Sequence, residues 1–518
     1  MALSQNLLSI PRQFLPSVHS SPLGGLGLFY TGPTDRDITL LSVPSNFTLS
    51  IYQCKRIMDS GIGEDGQFAK NFIQKCLSFY CTGKVTESRI LICYCISMLA
   101  LDKVGKLKSL EAANFVPEYL QVLLKTTVDN IDFDNKSLLE FYKEEFQGNS
   151  LLNSVYLELT NGDAEEFAKF IRKELKDDDC ISGVQIQQLI TAIRSRILEI
   201  PRSDHGDEDN FVTDITLVPL LDFSNHDNYK VSAYFDVDRK NSDVLLKLDH
   251  NKFSKEAEDE EIFISYSKTE DINRFFLNYG FIPKSRDDWK VFEIPFWGYY
   301  SEGTGITEIL YRIGQTPNLQ FGVKFDEKGE IKDLKINLMD NYSFLVLMKG
   351  IDWKKYLGDE DVAAEEDDKE VVGEDVVANL MEEATIEQIN EAVYEMVEMI
   401  NGGMKRYRKK LENFMVMIDE YEIGEEETKN ISELIKFELE FSRKFTDIWE
   451  KIKEDTNKEK ANNNNDGEIP NSYETALSMI LSPDEVDETW AQVRMFPIYN
   501  FEEAEDERVK MEEMKLDP

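Results

Sequence analysis

The period of the hydrophobic pattern changes twice along this chain. Residues 21–50, "SPLGGLGLFYTGPTDRDITLLSVPSNFTLS", read as short strands broken by glycine and proline. From residue 54 to about 180 the apolar residues take helical spacing, as in "ESRILICYCISMLALDKV" and "PEYLQVLLKTTVDNI". Alternation returns over 211–282, where "VSAYFDV", "DVLLKLD" and "EIFISYS" look like strands. The pattern predicts an α+β chain in which a β-rich unit is interrupted by a helical insertion and then resumed.

Beyond this unit the run 291–357 is mixed, and "GDEDVAAEEDDKEVVGED", from 358, reads as an acidic solvated linker reaching residue 378. Helical stripes follow. Ile389, Val393, Met396 and Ile400 form one; Met404, Tyr407, Leu411, Phe414 and Ile418 continue it past a break at Gly402-Gly403; Leu434, Phe437, Phe441, Phe445 and Ile448 form another. They predict a helical bundle domain over 379–518, interrupted by a flexible loop at "NKEKANNNNDGE". The expected segments are therefore 1–53 and 181–290 for the two parts of the β-rich unit, 54–180 for the insertion, 291–357 for a connecting region, then linker and bundle.

Composition narrows the function. A chain of 518 residues is too long for one core, and 42% hydrophobic residues suffice for two or three domains. The net charge of −41 repels nucleic acid and favours a basic protein partner. No stretch has the length and apolarity of a membrane span, and "MALSQNLLSIPRQF" lacks the build of a secretory signal. The six cysteines contain no CxxC pair, and Cys93 and Cys95 read as buried thiols in a helix. A reducing, cytoplasmic setting is expected. His19, His205 and His250 show no metal spacing, so no metal site is expected, and "KRYRKK" (405–410) reads as the solvated face of a helix.

Four short elements stand in a fixed order: "GGLGLF" (24–29), "RSR" (194–196), "DFSNH" (222–226) and "SYSKTEDINRFFLNYGFI" (265–282). With the insertion between the first two, the chain resembles the SET-domain methyltransferases, in the branch typified by the Rubisco large-subunit lysine methyltransferase. The resemblance covers about residues 21–290, and in architecture alone about 380–450. It implies a SET fold, S-adenosylmethionine as methyl donor, and a monomer methylating lysine on a basic, non-histone protein such as a translation factor, ribosomal protein or cytochrome c. A histidine methyltransferase on the same fold, and a non-catalytic scaffold for basic partners, remain alternatives.

Lysine methylation requires a neutral amine aligned with the methyl carbon. Presenting a lysine of pKa ~10.4 uncharged at pH 7 costs about 4–5 kcal/mol unless its surroundings disfavour the ammonium. An aromatic channel does so, and Tyr266, Phe275, Phe276, Tyr279 and Phe281 fall within sixteen residues. The resemblance makes Tyr279 of "NYGF" the active-site tyrosine and Tyr266 a channel residue, although an alternating strand would bury Tyr266 in any case. It places Asn225 and His226 at the cofactor, where plain turn chemistry also accounts for them. It pairs Arg196, beside Ser195, with a cofactor carboxylate, and a helix-end surface arginine is the simpler reading. Asp222 braces this loop, while Gly24, Gly25, Leu26 and Gly27 cradle the cofactor through the backbone. Phe275, Phe276 and Phe281 read as core.

Overall fold

The computed structural model describes residues 3–23, 25–81, 86–126, 163–201, 213–227, 230–252, 256–266, 272–284, 289–295, 318–338, 343–349, 351, 380, 383–417, 425–462 and 476–480. The chain divides into two compact units, one of residues 1–134, 160–267 and 496–518, the other of 135–159 and 268–495. Among the described residues no helix is long and apolar enough to cross a membrane.

In the first unit both blocks of alternating sequence form antiparallel sheet with each other. Strands β1 (Gln13–Phe14), β2 (Ser17–Ser20), β3 (Leu26–Pro33) and β4 (Ile38–Val43) come from the N-terminal block. The returning block supplies β5 (Ile197–Pro201), β6 (Thr213–Leu217), β7 (Asn225–His226), β8 (Ala233–Asp238), β9 (Asp243–Leu248), β10 (Glu256–Glu261) and β11 (Phe263–Ile264). One sheet has the order β1-β4-β9-β8, another β10-β3-β2, and β5 pairs with β6. The short β7 and β11 run parallel, Asn225 opposite Phe263 and His226 opposite Ile264.

Between β4 and β5 lies the helical insertion: α2 (Ile51–Asp59), α3 (Gly63–Tyr80), α4 (Glu87–Lys103), α5 (Val116–Lys125), α6 (Asp163–Leu175) and α7 (Gly183–Arg194), with α1 (Gln5–Leu8) preceding β1. The helical run thus ends at Arg194, beyond the expected 180, because Ser182 and Gln185 form a capping box that starts one more helix. Helix α4 is buried from Leu91 to Leu101, Cys93 and Cys95 included. Leu28, Leu41 and Val43 of the strands share one hydrophobic core with Ile96, Leu120, Phe167 and Ile193 of the helices.

The second unit differs from the sequence reading. Helix α8 (Ile272–Tyr279), expected within the β-rich unit, joins the second unit, where Asn273 Nδ2 donates to the Glu293 carbonyl at 3.1 Å. The "mixed" region contains an antiparallel sheet of β12 (Lys290–Pro295), β13 (Asn318–Phe325) and β14 (Ile331–Asn337). Helices α9 (Ile386–Met417) and α10 (Glu425–Asn462) pack antiparallel, and α10 covers the sheet. Phe292 meets Phe437 and Phe441 edge-on at 5.0 and 4.6 Å, and Phe321 meets Phe441 and Phe445 at 5.1 and 5.9 Å. Among the described residues the connecting region is thus a sheet packed under α10, and the region from 383 onward is helical, as the sequence reading expected. Gly402-Gly403 does not break α9, since apolar anchors on both sides, Ile400 and Met404, are buried. The basic run is only partly solvated: Lys405 pairs with Glu450 at 2.7 Å, and Arg408 donates to the Ser442 carbonyl at 2.7 Å. The acidic linker lies outside the described residues.

Candidate active site

The glycine-rich turn is held by the chain's own hydrogen bonds. Ser21 N–H donates to the Gly25 carbonyl at 3.1 Å, and Gly25 sits at φ +67°, a conformation that favours glycine. Gly24 lies outside the described residues. Leu26 then opens β3. Gly27 is glycine for space: an added Cβ would strike Glu261 Oε1 and come within 3.1 Å of Asn225 Nδ2.

Asn225 reaches this turn across 199 residues of sequence. Its Nδ2 donates to the Leu26 carbonyl at 3.1 Å and to Glu261 Oε1 at 2.7 Å. Both amide hydrogens are therefore committed to protein. His226, next in the strand, is buried at 6% exposure, and its Nδ1 accepts from Tyr266 N–H at 3.0 Å, which leaves Nε2 to carry the proton of a neutral ring. The His226 and Tyr266 rings lie 5.1 Å apart. Tyr266 is half-buried, and its hydroxyl donates to the Ser224 carbonyl at 2.9 Å. Burial pushes that hydroxyl well above its ordinary pKa, with Arg196 opposing, so it stays protonated.

Arg196 follows the end of α7. Its Nη1 donates to Ser195 Oγ at 2.8 Å and to the Ala192 carbonyl at 3.3 Å, where the helix C-terminus favours a cation. Its Nη2 donates to the Thr126 carbonyl, closing α5 onto the same corner. The carboxylate it faces in the structure is the chain's own Asp222, at 3.9 Å. Asp222 is almost wholly enclosed and also accepts from Tyr119 Oη at 2.8 Å. Burial raises the Asp222 pKa to about 6 against the pull of Arg196 and Tyr119. The preceding Leu220 holds φ +71°, a strained conformation costing on the order of 1–3 kcal/mol, and it turns the chain into Asp222. Arg196 and Asp222 thus face each other at the base of this loop; the sequence reading gave Asp222 the bracing of the loop and Arg196 a cofactor carboxylate.

The first unit accordingly gathers Gly25, Leu26, Ser195, Arg196, Asp222, Asn225, His226 and Tyr266. Tyr279 belongs to the second unit. Gly280, at φ +80°, donates its N–H to the Phe276 carbonyl at 2.8 Å and stops α8 there, so "NYGF" is a helix terminus that fixes Tyr279 at the last turn. The Tyr279 ring lies 4.5 Å from Phe275 and 6.5 Å from Phe281. Phe275 and Phe276 are buried, as core residues should be.

Sequence reasoning missed Glu261 and Tyr119. Glu261 ends the acidic run "EAEDEE", where its neighbours hide it, and Tyr119 reads as one more apolar position of α5. It also missed that His250 Nδ1 meets Asp37 Oδ1 at 2.5 Å, with Asp249 alongside, since Asp37 comes from the far end of the sequence.

Residues 16–307 match the family model described as cytochrome c lysine N-methyltransferase 1. The protein of that name from Kluyveromyces lactis is 30% identical over 295 residues, covering 52% of this chain and 54% of that protein. The one from Saccharomyces cerevisiae is 40% identical over 119 residues, covering 23% and 20%. The alignments span about half the length of such relatives, or less. Among solved structures, the SET domain of LSMT bound to methyllysine and AdoHcy aligns with 90% of this chain and 99% of that one, at 13% identity and a TM-score of 0.49.

Proposed function

The chain belongs to the cytochrome c lysine N-methyltransferase 1 family, and on that premise we propose that it methylates a lysine of cytochrome c, with S-adenosylmethionine as donor. The observation that carries this reading is the extent of the family match. Residues 16–307 enclose every site residue read from the sequence, from Gly24 to Tyr279. The relatives' names supply the substrate, and the net charge of −41 suits a basic protein.

The residues present fit the donor. The turn at Gly25 has open space on its Cβ side, and Asn225 keeps an acceptor oxygen beside the Leu26 carbonyl. S-adenosylmethionine, when bound, supplies a methyl group activated by its sulfonium. This chain's own task is to hold that molecule with the Gly24–Gly27 turn, Asn225 and His226, and to exclude water around the incoming amine. In the first unit Tyr266 supplies an aromatic wall that disfavours the ammonium, and the role proposed for Tyr279, from the resemblance, is to offer its hydroxyl to the neutral amine.

The test is incubation of the full chain with S-adenosylmethionine and unmethylated cytochrome c, read by intact mass and peptide mapping. A gain of about 14 Da or a multiple on one lysine is expected from the mass of a methylene, and Tyr279→Phe should lower the rate by about 10²-fold with cofactor affinity retained. Methylation confined to histidine, or no transfer to cytochrome c, would overturn the reading.

A further inference from the structure

We infer that Glu261 positions Asn225 and charges its corner, so that the site selects the ammonium end of the methyl donor. This rests on the proposed function and extends it to a residue outside the sequence motifs. The Glu261 carboxylate joins two parts of the site: Oε2 accepts from Ser21 Oγ at 3.0 Å, and Oε1 accepts from Asn225 Nδ2 at 2.7 Å. Ser21 Oγ in turn accepts from Leu23 N–H at 3.0 Å, within the glycine-rich turn.

The consequence follows from valence. Glu261 and the Leu26 carbonyl take both Asn225 amide hydrogens, so the amide cannot flip and only Oδ1 is left to meet a ligand. An oxygen acceptor, a backbone carbonyl and a carboxylate at one corner accept hydrogen bonds and favour positive charge. A primary ammonium answers all three; a carboxylate or a neutral acceptor answers none. The closeness is built in, because any side chain at Gly27 would strike Glu261.

The experiment is calorimetric titration of the full chain and its Glu261→Gln variant with two probes. S-adenosylhomocysteine carries the ammonium, and 5′-methylthioadenosine lacks the amino-acid end. Glu261→Gln keeps the shape and removes the charge, so affinity for S-adenosylhomocysteine should fall about tenfold while that for methylthioadenosine changes less than about twofold. Gly27→Ala, which displaces the carboxylate without altering it, should give the same selective loss and serves if Glu261→Gln misfolds. Equal losses for both probes would make Glu261 a structural brace only, and no loss for either would remove it from the site; each overturns the inference. Failure of the unmodified chain to bind either probe would instead overturn the proposed function on which the inference rests.

Discussion

Glu438 is a carboxyl group at 1% exposure between α9 and α10, held by Tyr407 Oη at 2.9 Å. Burial pushes its pKa up to about 8, with the tyrosine opposing. The folded chain therefore keeps a proton that the unfolded chain, with an ordinary carboxyl near 4.5, releases. The stability this group contributes is complete below about pH 4.5 and is lost as pH rises toward 8, by on the order of 5 kcal/mol in all. Asp222, raised to about 6, adds a smaller trend of the same sign between about pH 4 and 6. Glu438→Gln keeps the shape without the charge, so its stability advantage over the unmodified chain should grow from pH 5 to pH 8 and then level off. Urea unfolding at both pH values measures this, and a pH-independent difference would contradict it. The residue was legible in part: Glu438 lies four places after Leu434 and three before Phe441, on the same helical stripe. Glu261 gave no such signal, because in an acidic strand nothing local marks the one carboxylate that turns inward.

Elements were legible wherever one face is buried and the other wet. Strands β3, β4, β8 and β9 and helix α5 form where the spacing puts them, and α4, though buried all round from Leu91 to Leu101, forms where its long apolar run lies. The sheet β12-β13-β14 was missed because Val291, Phe292 and Ile294 are all buried, which erases alternation in β12, and its partner starts only at Asn318. Helix α9 was misread at Gly402-Gly403 because local propensity lost to tertiary packing: Tyr394 against Trp449 and Arg408 against Thr446 hold the helix on both sides of the pair. The glycine cost remains. A Cβ at Gly402 meets only Arg406 Nη1 at 3.7 Å, so Gly402→Ala should stabilise the chain by about 0.5–1 kcal/mol. A raised thermal midpoint would bear this out, and a lowered one would show that the pair is needed for a bend.

At the scale of the molecule, the second unit stands or falls as sheet and hairpin together. A chain cut after Lys355 loses the partners of Phe292 and Phe321, and each uncovered ring forfeits roughly 1.5–3 kcal/mol of burial. Such a chain should bind hydrophobic dye and scatter light; a monomeric fragment unfolding cooperatively would show that the sheet needs no cover. The first unit closes over long distances instead: β3 pairs with β10, and β4 with β9. During synthesis at roughly 5–20 residues per second, β3 therefore waits on the order of ten to forty seconds for its partner to leave the ribosome. Its exposed edge must be shielded for that interval, by nascent helices or by a chaperone. The corner formed by Ser21, Asn225 and Glu261 cannot exist until this late closure, so it is among the last features that the first unit acquires.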